Sequence, residues 1–503
     1  MTNRHRYYRL RATLSLIIAL TVMLTLGAGA LAQSSTTTSA ATIIEAVKAG
    51  DLETTRRLIA AGINVNMQQG DGATALHWAS HRNDLVTASL LIETGADVNV
   101  ANELGATPLW LAAINGSDSM AKQLLEAGAN PNASLKMGET PLMTAARSGN
   151  PETVKQLLNY GADVNGVENE RGQTALMWAV AQQHTDVVQL LIDHAANLHA
   201  RSQVWYQLEN TAGNTNPSGN FSMAHGGSTP LLFAARNGDI ETARVLLDAG
   251  ANVQDTDASG ASALVIATHS GHEPLAIFLL QQGADPNAAE AGYTALHAAV
   301  LRGEVELVTT LLDHGANLHA VVEHGTSGRR FSADYSIRAQ LIGEEAFWLA
   351  AKYGEVEILS LLLDRGADPF YVNADGVTTL QVAMGIYGTA GLENRRDRID
   401  NAALDLVEEE ALTLELARIL IDLGVEVNAA NNRGNTALHD AIRKDFASVV
   451  EYLIARGANI NAVNERDQTP LELASTPQPI PATNGLRGTR PEVAELLRRL
   501  GAK

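Results

Sequence analysis

Two kinds of apolar segment alternate along this chain, and together they return every 32 to 34 residues over most of its length. The first kind is short and rich in small residues, as from Thr140 to Ala146, and the second ends in paired leucines such as Leu157–Leu158. Thr can cap a helix, and a following Pro fits its first turn. Gly161, after the leucines, can take the left-handed conformation that ends a helix. Each unit is therefore predicted to be a pair of helices.

A glycine in a Gly-x-Thr/Ser-Pro/Ala-Leu core marks most of the units. It stands at Gly72, Gly105, Gly138, Gly172, Gly227, Gly260, Gly292, Gly343, Gly376 and Gly434, and Asp467 takes its slot later. Three steps are longer than the rest, which indicates insertions. With a leading unit at residues 43–66, the chain is predicted to hold about twelve units. One unit exposes an apolar face on each side, and stacking buries those faces in a continuous core.

The segments Gly105–Asn132 and Gly72–Asn99, the latter with His77 after the leucine, resemble ankyrin repeats. The resemblance extends from about residue 41 to the C-terminus. It implies an all-α ankyrin-repeat solenoid of about twelve helix-turn-helix repeats, with projecting hairpin fingers and a concave face formed by the fingers and the first helices. Three positions depart from the repeat pattern, which puts their local geometry in question: Ala195, Val425 and Asp467.

Residues 1–32 are predicted to be a secretory signal peptide. Four arginines precede an apolar stretch of about fifteen residues from Ala12 to Leu26, and the small residues up to Ala32 suit cleavage there. A retained anchor is the alternative, but a spanning helix needs roughly twenty apolar residues. Residues 33–40 form a Ser/Thr-rich linker, and residues 41–503 form the repeat domain. We expect a periplasmic or secreted protein without stable membrane insertion.

Composition excludes several classes of chemistry. The 503 residues contain no cysteine, which excludes disulfides, thiol catalysis and Cys-ligated metals. The formal net charge of -20 repels nucleic acid. No P-loop, dinucleotide fingerprint or Gly-x-Ser-x-Gly is present, and no pair of carboxylates stands out from the general acidity. We therefore expect neither enzyme activity nor a cofactor.

The histidines fit the repeat better than a metal site. His194 and His199 recur as His314 and His319 in matching segments, and no His-Glu-x-x-His accompanies them. We therefore expect no bound metal. The resemblance implies that the histidine after the repeat leucine forms bonds between repeats, at His77, His297 and His439.

The resemblance also implies partner contacts just after the Ala-Ala of each first helix. In this chain those positions are mostly basic, at Arg82, Arg147, Arg236, Arg302, Lys352 and Arg443. As a row they would attract an acidic protein segment, because their fields add. Taken singly, each cation complements the dipole of a helix end. Both interpretations stay open, and the acidic residues are expected to lie elsewhere.

Two insertions enter where a finger is expected, at about residues 201–226 and 321–341, and should project from the finger edge. Their candidate binding residues are Trp205, Tyr206 and Phe221 in the first, and Arg329, Arg330 and Phe331 in the second. Aromatics beside arginines often anchor interfaces, whereas the alternative is that the loops fold back and plug the groove between fingers. The third insertion, at about 386–413, lies between two helices and is predicted to be a solvated helical extension.

These observations predict a non-catalytic, monomeric scaffold that binds another protein carrying an acidic segment. The alternative is an anionic glycan or cell-wall polymer bound along the same basic positions. An interaction that survives protease treatment of the ligand would favour that alternative.

Overall fold

The computed structural model describes residues 43–210, 220–326, 337, 341–385, 406–479 and 486–503. Within these ranges, 24 helices form twelve pairs, which confirms the predicted all-α repeat solenoid. The predicted signal peptide and linker lie outside the described residues. The chain divides into two compact units, Met1–Ala133 and Ser134–Lys503.

The described part of the first unit contains three helix pairs. Their bounds are α1 (43–49), α2 (Leu52–Ala60), α3 (Ala75–His81), α4 (Leu85–Glu93), α5 (Pro108–Ile114) and α6 (Asp118–Glu126). The first helices α3 and α5 pack against each other, and the second helices α2, α4 and α6 pack in series. Fully buried side chains such as Leu91, Leu109 and Leu124 fill the space between them. The alternating apolar pattern is thus buried by stacking.

The described part of the second unit contains nine further helix pairs and two short hairpins. The helices are α7 (Pro141–Ser148), α8 (Pro151–Asn159), α9 (Ala175–Ala181), α10 (Thr185–Asp193), α11 (Pro230–Asn237), α12 (Ile240–Asp248), α13 (Ala263–His269), α14 (Glu273–Gln281), α15 (Ala295–Arg302), α16 (Val305–Asp313), α17 (Ala346–Tyr353), α18 (Val356–Asp364), α19 (Thr379–Ala383), α20 (Leu406–Asp422), α21 (Ala437–Lys444), α22 (Ala447–Ala455), α23 (Pro470–Ser475) and α24 (Pro491–Arg499). The strands are β1 (Trp205–Asn210), β2 (Asn220–His225), β3 (Gln478–Pro479) and β4 (Leu486–Arg487). Each first helix packs on the next first helix, and each second helix on the next second helix.

The first helices begin and end as the sequence predicts. Thr140 Oγ1 accepts a hydrogen bond from the backbone N–H of Met143 at 3.3 Å, and Pro141 occupies the first turn of α7. That proline removes a backbone donor which would have no partner within the helix. Gly149, with φ of 74°, ends the helix in the left-handed region. The local residue pattern therefore sets the helix boundaries.

The three departures from the repeat pattern leave its geometry intact. Ala195 and Asp467, which replace glycine, adopt the same left-handed backbone with φ of 64° and 56°. This conformation costs an L-residue about 1 kcal/mol, which the surrounding packing offsets. Val425 is buried, as are most of the alanines that hold its slot in other repeats. All three positions therefore fit the standard repeat.

Polar side chains after the second helices join neighbouring repeats. Asn287 Nδ2 donates to the carbonyl oxygen of Gly315 at 3.0 Å, and its Oδ1 accepts from the backbone N–H of Asn317 at 2.7 Å. Asn428, in a later repeat, forms the equivalent two bonds with the carbonyl oxygen of Gly457 and the backbone N–H of Asn459. Each amide thus satisfies a helix-end carbonyl and a finger N–H of the following repeat.

The described part of the third insertion, residues 406–413, differs from the prediction of a solvated extension. Residues 386–405 lie outside the described residues, and residues 406–413 form the beginning of α20. Glu409 is buried there, and its Oε1 lies 2.9 Å from Lys444 Nζ. Glu410 accepts hydrogen bonds from the backbone N–H and the hydroxyl of Ser448. The start of α20 therefore packs on the next repeat, because its acids find partners there.

The outer face of the last helix, α24, is polar. Val493 and Leu497 are buried against the preceding pair, whereas Arg498 and Arg499 are exposed. A polar outer face is what an end repeat requires. No helix among the described residues is both long enough and apolar enough to cross a bilayer.

Candidate interaction surface

Two of the predicted basic positions hold the ends of preceding helices. Arg82 Nη1 donates to the carbonyl oxygen of Lys48, in the last turn of α1, at 2.9 Å. Arg302 Nη1 donates in the same way to His269, in the last turn of α13, at 3.1 Å. Carbonyl groups at a helix end have no partner within their own helix. These two arginines therefore bind adjacent repeats together.

Most of the basic positions lie beside carboxylates. The shortest nitrogen–oxygen distances are 3.1 Å for Arg147 and Glu139, 3.9 Å for Arg236 and Asp257, 2.9 Å for Arg302 and Glu304, and 3.7 Å for Arg443 and Asp440. Lys352 Nζ lies 5.6 Å from the centroid of the Tyr353 ring. The expectation that the acids lie elsewhere is therefore wrong. These side chains therefore do not form a row of cations without counter-charges.

The first insertion forms an antiparallel hairpin at the position of a finger. In it β1 pairs with β2, Trp205 lies opposite His225, and Phe221 lies opposite Glu209. The rings of Trp205 and His225 stack with their centroids 5.6 Å apart. The stack covers one side of the indole and leaves the residue 45% exposed.

Backbone hydrogen bonds join the base of this hairpin to the fingers on both sides. The N–H of Gln203 donates to the carbonyl of Arg171 at 2.6 Å, and the N–H of Ala258 donates to the carbonyl of Gly226 at 2.9 Å. Gly226 has φ of 82°, and a Cβ there would lie 2.0 Å from the carbonyl oxygen of Gln203. Only glycine fits this close approach. The hairpin is therefore an enlarged finger held at its base.

Arg201 is the main side-chain anchor of the hairpin base. Its guanidinium donates to the carbonyls of Gly227 at 2.9 Å and Thr256 at 2.6 Å, and lies 3.1 Å from Asp255 Oδ1. We predict that Arg201→Ala raises the amide hydrogen-exchange rates of β1 and β2 about tenfold, because charge-assisted bonds contribute about 1.5–3 kcal/mol. Lys155→Ala, on the exposed side of α8, is the matched control. Unchanged exchange in β1 would contradict this assignment.

A cavity of about 350 Å³ lies between the hairpin, the fingers on either side and α11. Trp205 and residues 223–226 line it from the hairpin, Phe233 and Arg236 line it from the helix, and Arg171 and Asp257 line it from the fingers. The structure thus brings together two residues that the sequence singled out separately, Trp205 and Arg236. The hairpin thus leaves a cavity at its base, between the neighbouring fingers.

The outer face of β1 carries exposed apolar side chains. Tyr206 is 74% exposed and Leu208 is 68% exposed, on the opposite face of the strand from Trp205. Alternation along a strand places these two residues side by side. Exposed aromatic and aliphatic groups at such a position are typical of interaction sites.

Sequence reasoning missed the residues that complete the cavity. Arg171 stands just before the turn glycine of the preceding finger, and Phe233 faces the cavity from α11. Phe233 is the fourth residue after its capping threonine, the same position that Trp178 holds in α9. Comparison of equivalent repeat positions could therefore have identified Phe233. Arg171 gave no such signal, because its proximity to the hairpin depends on how neighbouring fingers lie together.

The second insertion is described only in part. Arg329, Arg330 and Phe331, predicted as binding residues, lie outside the described residues. At the edge of this segment the N–H of Thr326 donates to the carbonyl of Ile337 at 2.8 Å.

A pair of buried carboxylates follows this insertion, although the sequence had suggested none. Glu344 is 3% exposed, and its Oε1 accepts a hydrogen bond from Asn373 Nδ2 at 2.8 Å. Burial raises the pKa of Glu344 to about 7. Glu345 Oε2 lies 3.5 Å from His319 Nδ1, and burial also raises the pKa of Glu345. Since Asn373 belongs to the following finger, the pair links neighbouring repeats.

The histidines after the repeat leucines bond between repeats, as the resemblance implied. Nε2 of His77, His297 and His439 lies 3.0, 2.9 and 3.3 Å from the carbonyl oxygens of Ala106, Ala320 and Gln468. Burial lowers the pKa of all three, and that of His297 to about 4. Across the described residues, no cluster of three or more His, Cys, Asp or Glu side chains suits a metal ion.

Helix pairs that stack through their small first helices, with hairpin fingers at one edge, define a helical repeat protein. Family models described as "Ankyrin repeats (3 copies)" match residues 43–134, 127–202, 204–290 and 231–322. "Ankyrin repeats (many copies)" matches 420–474, and "Ankyrin repeat" matches 343–374. The chain belongs to the ankyrin repeat family. Ankyrin repeats are generally protein–protein interaction modules.

Individual relatives match the repeats but not whole proteins. The E3 ubiquitin-protein ligase KEG of Arabidopsis thaliana is 27% identical over 50% of this chain and 16% of its own length. Human ankyrin repeat and SOCS box protein 16 is 32% identical over 42% of this chain and 46% of its own length. The crystal structure of the human ASB11 ankyrin repeat domain is 29% identical, with a TM-score of 0.40, over 48% of this chain and 98% of that domain. The chain thus spans less than half of the length of the two curated relatives, KEG and ankyrin repeat and SOCS box protein 16.

Proposed function

We propose that this chain is a non-catalytic, monomeric scaffold that binds another protein through the finger edge of its second unit. The observation that carries the proposal is the cavity beneath the first hairpin, with the half-exposed Trp205 on its wall and Tyr206 turned outward beside it. Large aromatic side chains at the centre of an interface supply much of the binding free energy. A cavity with an aromatic rim is a suitable site for a partner's side chain.

The place of action belongs to the same proposal. The basic and apolar N-terminal pattern with its small residues up to Ala32 supports export, so we propose a periplasmic or secreted protein. In that compartment a chain without cysteine depends on packing alone, which the stacked core supplies.

The carboxylates beside the basic positions favour a protein partner over an anionic glycan. Glu139 and Asp257 stand within 4 Å of arginines that the glycan alternative requires as anchors. A polyanion would meet these two negative charges, whereas a protein segment can place single charges where they are matched. The proposal therefore keeps an acidic protein segment as the partner.

Position-specific photo-crosslinking tests the proposal. A benzophenone amino acid replaces Tyr206 in one variant and Lys155, on the second-helix side, in the other. After exposure to the envelope and secreted fractions of the native cells, we expect a protease-sensitive adduct from position 206 and none from position 155. Equal adducts at both positions would contradict a finger-edge site, and an adduct that survives protease would favour the glycan.

A further inference from the structure

We propose that the first hairpin binds an extended, acidic segment of its partner as a third strand along β2, with one carboxylate of that segment entering the cavity. The inference rests on the proposed function, because it names how the same site recognises a protein. It commits to a peptide rather than a polymer of other chemistry, since the pairing uses backbone amides.

The edge of β2 borders the cavity. Met223, Ala224, His225 and Gly226 all line it, although they are consecutive in the chain. Trp205, Met223 and His225 share one face of the hairpin, and Ala224, whose side chain points to the other face, brings the backbone of the strand into the lining. β1 occupies the other edge of β2. Among the described residues, no backbone group of another segment pairs with residues 221–225 on the cavity side. An extended segment can therefore add a strand at this edge.

The charges around the cavity match a carboxylate. Arg171 lines the cavity, and none of the ion pairs among the described residues involves its guanidinium. Arg236 lies 3.9 Å from Asp257 Oδ2, too far for a hydrogen bond. The other oxygen of Asp257 is already used, because it accepts from the backbone N–H groups of Ser259 and Ala261. The Asp257 carboxylate also lines the cavity, but because it forms no hydrogen bond with Arg236, the Arg171 and Arg236 guanidinium groups both keep donors for one incoming carboxylate.

Three large apolar side chains also line the cavity, beside the polar Gln173, Ser202, Ser228 and Ser259. Trp205 and Met223 line one side, and Phe233 lines the other with the Arg236 guanidinium 5.9 Å from its ring centroid. Residues two places from the carboxylate in an added strand project to the same face and would meet these walls. The segment that fits therefore has an acidic residue with apolar residues two positions before and after it.

Synthetic peptides test this recognition on the full chain. The first probe is fluorescein-labelled Thr-Val-Thr-Asp-Thr-Val-Thr, and its matched control carries Asn in place of Asp. By fluorescence anisotropy we expect the Asp peptide to bind at least about tenfold more tightly, because a charge-assisted bond replaces a neutral one. Two further versions carry N-methyl groups on alternate amides. Methylation of the amides that point towards β2 should abolish binding, and methylation of the amides between them should leave the affinity unchanged, since only every second amide faces a neighbouring strand.

Arginine variants tie the effect to the cavity. Arg171→Gln and Arg236→Gln should each remove most of the preference for the Asp peptide. Arg147→Gln is the matched control, because Arg147 holds the same place in α7 as Arg236 does in α11 but does not line the cavity. Equal affinity for the Asp and Asn peptides, or equal tolerance of both methylation patterns, overturns the inference. A crosslinked adduct at position 206 together with such a result leaves the proposed function standing and rejects only the added strand.

Discussion

Replacing Asp440 by alanine is expected to stabilise the protein by about 1–3 kcal/mol near pH 4, the cost of a buried polar group without a hydrogen bond, and by more at higher pH. Asp440 is 2% exposed in α21, and neither of its carboxylate oxygens has a hydrogen-bond partner. The guanidinium of Arg443 lies 3.7 Å away, outside hydrogen-bonding distance. Trp178 and Leu473 fill the equivalent position in α9 and α23. An acid therefore stands where other repeats have apolar side chains.

The pH dependence provides a second measurement of the same residue. Burial raises the pKa of Asp440 to about 8, from an ordinary value of 3.8. Between these values the unfolded chain releases a proton that the folded chain keeps, so the free energy of unfolding falls as the pH rises from about 4 to 8. The slope for one such group is about 1.4 kcal/mol per pH unit at most. Asp440→Ala should lack this part of the slope.

The control for Asp440 separates ionisation from hydrogen bonding. Asp440→Asn cannot ionise but still buries an unpartnered polar group, so it should lose the slope and gain less stability than the alanine variant. Because repeat arrays unfold in parts, melting temperature is to be read together with amide exchange in α21 and α23. Equal stability of the wild type and Asp440→Ala at pH 8 would contradict the account.

The helix pairs could be predicted because their signals are local. The threonine cap, the small residues and the paired leucines that define one repeat all lie within about 33 residues. Stacking then follows from apolar faces that one pair cannot bury alone. Even the departures at Ala195 and Asp467 kept the repeat backbone, since the neighbouring repeats determine it.

The binding surface could be predicted only in part, because its contacts join residues from different repeats. The aromatic residues of the first insertion were recognised, but the strand pairing of Trp205 with His225 crosses a segment without a clear alternating pattern. The ion pair of Arg147 and Glu139 crosses from a helix end to a finger eight residues earlier. Arg443 and Asn435 have the same spacing of eight residues and form a 3.2 Å hydrogen bond. The spacing was therefore present in the sequence, but it could be interpreted as a contact only once the finger geometry was known.

Replacing His297 by alanine is expected to have the largest destabilising effect, about 2–4 kcal/mol, because it removes two buried hydrogen bonds and leaves a void. His297 is fully buried, and its Nδ1 accepts from the backbone N–H of Thr294 at 3.1 Å. Its Nε2 donates to the carbonyl of Ala320 at 2.9 Å. The ring must be neutral for Nδ1 to accept, which agrees with a pKa lowered to about 4.

The same chain supplies the control, because Gln381 holds the position of His297 in α19. Its Oε1 accepts from the N–H of Thr378 at 3.1 Å, and its Nε2 donates to the carbonyl of Asn435 at 2.5 Å. His297→Gln should therefore keep most of the stability at pH 7. Since the folded pKa of His297 lies below its ordinary value of 6.5, the imidazole's contribution is complete above pH 6.5 and is lost as the pH falls towards 4. Urea unfolding between pH 4 and 7 should show this loss in the wild type and a smaller one in His297→Gln, and parallel curves would contradict the assignment.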